Sequence, residues 1–313
     1  MHLKDVENAK VTCLVDNNVD ILLPNTGIAS RPSIGQRWFE LPLIAEHGFS
    51  VALELEINDG TKHTILFDSG LDPLAAAHNS DVLNLDLSLC EFAISSHGHI
   101  DHAGGLINIR NKMSREQSIP LLFHKDAFRK RIVKFHDGRI ISLPEPNRSV
   151  LTKTGYSVVE RESPSLWIGD TVLVTGEVPR TNEFEKGFPN HYSEVDGKME
   201  SDPLIKDDQA VILNIKEKGL VVITGCGHSG IINIINYAKE LTGENRIYTI
   251  IGGMHLSGGI FESIIPKTVD ELEKMKPKFL IPCHCTGLKA MTEIARSMPD
   301  AFIQNSVGTR YIL

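Results

Sequence analysis

Between residues 95 and 105 the chain reads S-S-H-G-H-I-D-H-A-G-G, which puts three imidazoles and a carboxylate within six positions. An apolar run ending at Ser95 leads in, and helical periodicity takes over at Ala103. In an extended segment residues two apart point the same way, so His97 and His99 can grip one metal ion. Asp101 and His102 fall where the chain turns into the helix and can aim at a second ion, about 3.5–4 Å from the first. Imidazole nitrogen and carboxylate oxygen suit divalent cations; zinc leads the choice, with manganese, iron and magnesium open. Gly98, Gly104 and Gly105 allow the backbone close to the ions.

Two ions need more ligands, and four other apolar runs end in suitable residues. They are Glu177 in LVTGEVPR, Cys226 and His228 in TGCGHSGI, His255 in GGMHL, and His284 in PCHCTG. Each precedes a loop or helix, so all can converge on one sheet edge. His228 is the first candidate for the third ligand of the first ion, followed by Glu177 and His255. Cys226 either binds as thiolate or sits beside the metals. Asp68, in ILFDSG, either orients a ligating imidazole or caps the turn before Leu71. Cys283 and Cys285 flank His284 without a second cysteine pair to complete a structural zinc site, so they read as packing residues or as residues just behind the ligands.

These residues must be held by short strands. Strand patterns occur at 11–15, 51–57, 64–67, 92–95, 172–175, 210–215, 220–224, 248–251 and 279–282. Helical periodicity occurs at 72–78, 103–111, 230–241, 269–275 and 288–297. The interleaving predicts one α/β domain over residues 1–313, a layered sandwich. Residues 125–150 and 180–208 fit poorly and read as irregular inserted loops or lids.

Bulk composition narrows the class. The net charge of −8, from 32 basic and 40 acidic residues, argues against a broad nucleic-acid or anionic-membrane interface. No stretch approaches the roughly 20 apolar residues of a spanning helix. The first residues, MHLKDVENAK, carry charges where a signal peptide needs an apolar run, and the five cysteines are thinly spread. A cytoplasmic location is therefore expected. The oligomeric state is left open.

The segment His97–His102 resembles the H-x-H-x-D-H motif of the metallo-β-lactamase superfamily, with Asp68 matching its early strand-end Asp and His284 its last ligating His. The resemblance spans about residues 10 to 313. Within the superfamily, LVDNN (14–18), AEHGFS (45–50), TGEVPR, TGCGHSGI, GGMHL and PCHCTG resemble the dihydropterin–ribofuranosylaminobenzene-phosphate synthase-like subfamily. The resemblance implies an αββα sandwich of two mixed β-sheets flanked by helices. It also implies a site holding two divalent metals through His97, His99, Asp101, His102, His228 and His284, with a substrate-pocket role for His47. The chain departs from the wider superfamily in having Cys226 where hydrolases carry a metal-bridging Asp, and Glu177 where they carry a ligating His.

Paired cations can activate water for hydrolysis of a small ester, lactone or phosphodiester, or clamp a departing diphosphate in a synthase. The synthase reading implies condensation of a dihydropterin-methyl diphosphate with a ribofuranosylaminobenzene 5′-phosphate, hence a small phosphorylated substrate. A binuclear hydrolase is the alternative, and a non-catalytic ligand sensor the second. Asp101, Glu177 and His255 are read as catalytic, and Arg180 as a phosphate binder. The basic run at 125–139 offers further cations, although a solvated face is the preferred reading there.

Overall fold

The computed structural model describes residues 1–32 and 41–313. Eighteen strands are found among them. The first nine are β1 (Asp5–Val15), β2 (Ala29–Ser30), β3 (Ser50–Ile57), β4 (Lys62–Phe67), β5 (Cys90–Ile94), β6 (Ile119–Phe123), β7 (Arg131–Lys134), β8 (Ile140–Leu143) and β9 (Tyr156–Glu160). There follow β10 (Ser165–Trp167), β11 (Val172–Val174), β12 (His191–Val195), β13 (Lys198–Ser201), β14 (Ala210–Ile215), β15 (Gly219–Thr224), β16 (Ile247–Gly252), β17 (Phe279–Pro282) and β18 (Arg310–Ile312). The helices are α1 (Ala75–Val82), α2 (Ile100–Ala103), α3 (Leu106–Ile109), α4 (Arg148–Thr154), α5 (Ile231–Thr242), α6 (Ile265–Met275) and α7 (Leu288–Ser297).

One ladder runs β9-β6-β5-β4-β3-β1 and continues as β14-β15-β16-β17. Its two halves meet through only two residue pairs, Asp5 with Asn214 and Val6 with Ile215. That narrow seam lets the halves lie face to face as two mixed sheets. Phe49, Leu53, Phe67 and Ile94 of one half share a core with Val174, Val211, Val221 and Ile251 of the other. A second core lies under α1, α3 and α4, where Ala76, Leu106 and Leu151 cover the outer face of the first half. A third lies under α5, α6 and α7, where Ile234, Leu272 and Ile294 cover the second. The result is four layers, αββα. Strands β14 and β15, covered on both faces, are almost wholly buried.

Parallel pairing orients the site. β4, β5 and β6 are mutually parallel in one half, as are β15, β16 and β17 in the other. Chemistry in open parallel sheets gathers beyond the carboxyl ends of the strands, and the histidine-bearing segments follow β5, β15, β16 and β17.

Two expectations are corrected. The helix expected over 103–111 is broken into α2, α3 and a 3-10 turn at Arg110–Lys112, where the Asp101 and His102 carbonyls accept the Phe49 and Ser69 amides instead of continuing the helical ladder. The stretches at 125–150 and 180–208 are not irregular: they hold two hairpins that pair as a small sheet, β13-β12-β7-β8. Their strands are short and mostly polar on the outside, which hides the alternation, whereas Asp137-Gly138 and Asp196-Gly197 mark the turns.

Candidate metal centre

Three groups of ligand-type atoms lie each within 4.8 Å of one another: His97, His99 and His228; Asp101, His102, Cys226 and His284; and Cys226, His228 and His255. His99 Nδ1 faces His228 Nε2 at 3.2 Å. In the second group His102 Nε2 lies 3.1 Å from Cys226 Sγ, and Asp101 Oδ2 lies 3.3 Å from His284 Nε2 and 3.7 Å from His102 Nε2. Two nitrogens each about 2.0–2.1 Å from a tetrahedral zinc stand about 3.3 Å apart, so these spacings fit shells of ligands around ions. Among the described residues nothing hydrogen-bonds to buried His97 Nε2 or His284 Nε2, although buried polar atoms normally find a partner. The donor set therefore fits divalent cations.

The remaining ring nitrogens are fixed from behind. The His191 Nδ1–H donates to Asp202 O at 2.9 Å, so His191 Nε2 can accept from His99 Nε2, 3.2 Å away. That chain leaves His99 Nδ1 with a free lone pair aimed at His228. His97 Nδ1 meets Ser96 Oγ at 2.8 Å. Asp68 takes the Ser96 amide at 2.6 Å through one oxygen and His102 Nδ1 at 2.7 Å through the other. His284 Nδ1 lies 3.2 Å from Asn17 Oδ1, and its backbone amide donates to Asp16 at 2.7 Å. Asp68, His255 and His284 all have left-handed backbones, at φ of 59°, 44° and 47°. Such conformations cost about 1 kcal/mol or more in non-glycine residues and gather at functional sites.

Electrostatics sort the ligands. Burial, reinforced by neighbouring imidazoles and in His99 first by the Arg131 charge, holds His97, His99 and His228 well below the usual histidine range. They are neutral at pH 7 and offer lone pairs. Burial opposes charge on Asp101 too, but His102 and His284 outweigh it and keep the carboxylate ionised. Burial likewise works against a charge on His102, yet Asp68 and Asp101 hold its pKa up at about 9. Cation binding there displaces a proton. Burial pushes the Cys226 thiol up, so its ionisation needs a cation beside it.

The segment carrying His97 and His99 is clamped. A Cβ on Gly98 would stand 2.0 Å from Ala127 O, so only glycine fits. The Gly98 amide donates to Asp207 Oδ2 at 2.8 Å, and Asp207 Oδ1 pairs with Arg131 at 2.7 Å, both side chains being buried.

The metal-facing pocket, of about 320 Å³, is lined by His47, His99, Asp101, Phe188, Cys226, His228, His255 and His284, with Val133 and Leu143 from the small sheet. His47 Nε2 lies 3.8 Å from Asp101 Oδ2, and its ring meets the His284 ring at 4.7 Å, tilted by 41°. His255 sits 4.1 Å ring to ring from His228, and its buried Nδ1 has no hydrogen-bond partner among the described residues.

Two expected site residues are placed elsewhere. Glu177 joins none of the three groups: its amide donates to Glu162 O, and its carboxylate turns to Lys206 at 3.4 Å. Arg180 lines neither this pocket nor the metal groups, because its guanidinium is spent on Val178 O and Leu204 O. Most of the basic run is likewise paired, Lys125 with Glu162, Arg129 with Asp126 and Lys130 with Glu194. Sequence reasoning missed Asp16, Asn17, Ser96 and Asp207, and gave His191 only a conditional place, as a residue of the 180–208 segment that enters the site if that loop closes. Only Asp16 and Asn17 carried a local signal, at the end of β1.

No family model matches the chain. It is 29% identical over 275 residues to the 7,8-dihydropterin-6-methyl-4-(β-D-ribofuranosyl)-aminobenzene-5′-phosphate synthase of Methanocaldococcus jannaschii, covering 86% of this chain and 91% of the relative. It is 33% identical over 266 residues to an uncharacterised protein of the same organism, covering 84% and 92%. Among solved structures, Tm1679, a metal-dependent hydrolase of the β-lactamase superfamily, superposes with a TM-score of 0.72 at 23% identity, covering 96% and 98% of the two chains. The metallo-β-lactamase fold protein YhfI from Bacillus subtilis superposes at 0.54 with 11% identity, covering 98% and 100%. Fold and relatives matched along most of their length agree: the chain has the metallo-β-lactamase fold, belongs to one family with the uncharacterised relative, and resembles the dihydropterin–ribofuranosylaminobenzene-phosphate synthase.

Proposed function

We propose that this enzyme joins a dihydropterin-methyl diphosphate to a phosphorylated arylamine of the ribofuranosylaminobenzene type at a two-cation site. The observation that carries the reading is the side-by-side arrangement of two ligand groups, His97/His99/His228 and Asp101/His102/Cys226/His284, in a chain matched along most of its length to a synthase. Bound divalent cations supply positive charge where a diphosphate leaves, and zinc suits the imidazole and thiolate donors best. Asp68 and Ser96 fix the rings of His102 and His97, Asn17 fixes His284, and His191 fixes His99. In the reaction the arylamine nitrogen bonds to the pterin methylene carbon as the bond from that carbon to the diphosphate oxygen breaks. The diphosphate takes the bonding pair, and the amine proton passes to solvent or to His255, whose Nδ1 is unpaired. His47 and Phe188 bound the substrate on the metal-facing side.

Purified protein should carry about two equivalents of zinc by elemental analysis, and His97→Ala combined with Asp101→Ala should lower that to less than one. Unchanged metal content in the double variant removes the proposed ligands. Product formation from the diphosphate and the arylamine phosphate supports the synthase. Brisk turnover of aryl esters, lactones or bis-nitrophenyl phosphate without it establishes the hydrolase instead. Absence of both with metal bound would favour the sensor reading, which has the least support in a family of transferases and hydrolases.

A further inference from the structure

A second cavity, of about 230 Å³, lies behind the metal-facing pocket, and His228 and His255 line both. Its wall is largely apolar, from Phe184, Met254, Ile260, Phe261 and Ile264, and Phe261 meets the His255 ring edge-on at 4.4 Å. A cavity of about 150 Å³ takes one benzene ring, so this space suits a single substituted ring, whereas the larger pocket suits a bicyclic one. Lys186 is the only Lys or Arg among the described residues lining either cavity. Among the described residues no hydrogen bond or ion pair engages its ammonium group, while Arg131, Arg129, Lys125 and Lys206 are all paired. The loop bearing it is pinned. The buried Glu185 carboxylate accepts the amides of Ile232 and Asn233 at the start of α5, each at 2.9 Å, and Asn182 Nδ2 at 2.6 Å. Lys186 is thus an unpaired cation on an anchored loop at an aromatic cavity that shares its histidine wall with the metal centre.

We infer that this cavity binds the second substrate, with an aryl ring against Phe184 and Phe261 and its phosphate on the Lys186 ammonium. The ligand's identity rests on the two-substrate reading above. A hydrolase needs one organic ligand and a water, so a separate ring-sized subsite across His255 also accounts for what a condensing enzyme must add. His255 then stands where the amine of one ligand approaches the carbon of the other.

The test is calorimetric binding of 4-aminobenzylphosphonate, a non-hydrolysable arylamine carrying a phosphonate, to the metal-loaded protein. Lys186→Ala should weaken binding about tenfold, and Lys186→Arg should restore most of it, as expected for one charge-assisted contact. Ser263→Trp, at an exposed position on the cavity wall, should abolish binding with metal content unchanged. The Lys186 dependence should persist after chelation of the metals, since the subsite does not require them. No measurable binding to the unaltered protein, or equal binding in Lys186→Ala and Ser263→Trp, overturns the inference. So does loss of binding on chelation alone, which would put the phosphonate on the cations. The readout is a dissociation constant, so absent synthase turnover would count against the reaction and not against the subsite.

Discussion

Each of the five ligand-type histidines His97, His99, His102, His228 and His284 has one ring nitrogen turned to the centre and, in four cases of five, the other engaged by a named partner. Asp68 matters most, because it serves both the Ser96 amide and the His102 ring. Asp68→Asn should lower metal affinity by about 10–100-fold while the circular dichroism spectrum is kept; equal affinity would show that the carboxylate does not orient His102. A different role falls to Asp207. Burial pushes its pKa up, but the Arg131 guanidinium outweighs this and brings it from 3.8 down to about 2. The unfolded chain therefore takes up this proton first as pH falls. The stabilisation, of order 2 kcal/mol, is full above about pH 4 and is lost as pH drops towards 2. Chemical denaturation between pH 5 and 2 should show that loss in the parent and a flatter profile in Asp207→Asn. The residues legible in advance were those whose signal is local: His97 to His102 within six positions, and Cys226, His228 and His284 behind apolar strands. His191 and Asp207 act at the site from the far side of the chain, in a polar stretch without periodicity, so spacing alone could not reveal them. Glu177 looked equivalent to the other strand ends, but the turn at Gly176 ties its backbone to Glu162 and leaves its carboxylate to Lys206.

At the scale of elements, β-strands and the long amphipathic helices α5, α6 and α7 were readable because burial imposes their period. What escaped were β6, a short buried run interrupted by Pro120, together with β9 and the small sheet, whose strands of four or five residues expose many side chains. The β5–α2 turn depends on one tight contact between elements, Gly98 against Ala127. Gly98→Ala should displace the His97 and His99 rings, lowering metal content to less than half while the melting temperature falls by only a few degrees. A fully metallated variant would show that the loop tolerates the shift. The small sheet contributes Val133 and Leu143 to the pocket wall, so it helps shape the opening while the parallel strands carry the ligands.

Across the whole molecule, the two sheet halves contribute unequal parts of one centre: His97 to His102 come from the first, and Cys226, His228 and His284 from the second. The C-terminal segment ties them together. Asn305 donates to Asp16 Oδ2 at 2.6 Å and accepts from the Tyr311 hydroxyl at 2.5 Å, while Asp16 holds the His284 amide. Asn305→Ala leaves two buried polar groups short of a partner, at about 1–3 kcal/mol. It should lower both thermal stability and metal affinity; a change in stability alone would show that Asp16 holds His284 without help.

That tie reaches beyond the finished protein to its biosynthesis. The groups that build the centre are strung from Asp16 to Asn305, and those that steady it end at Tyr311. A chain emerging from the ribosome has its first histidines in the open long before their counterparts exist. A complete set of ligand groups can then form only once His284 has left the ribosome, so cation uptake would follow folding of the second half rather than precede it.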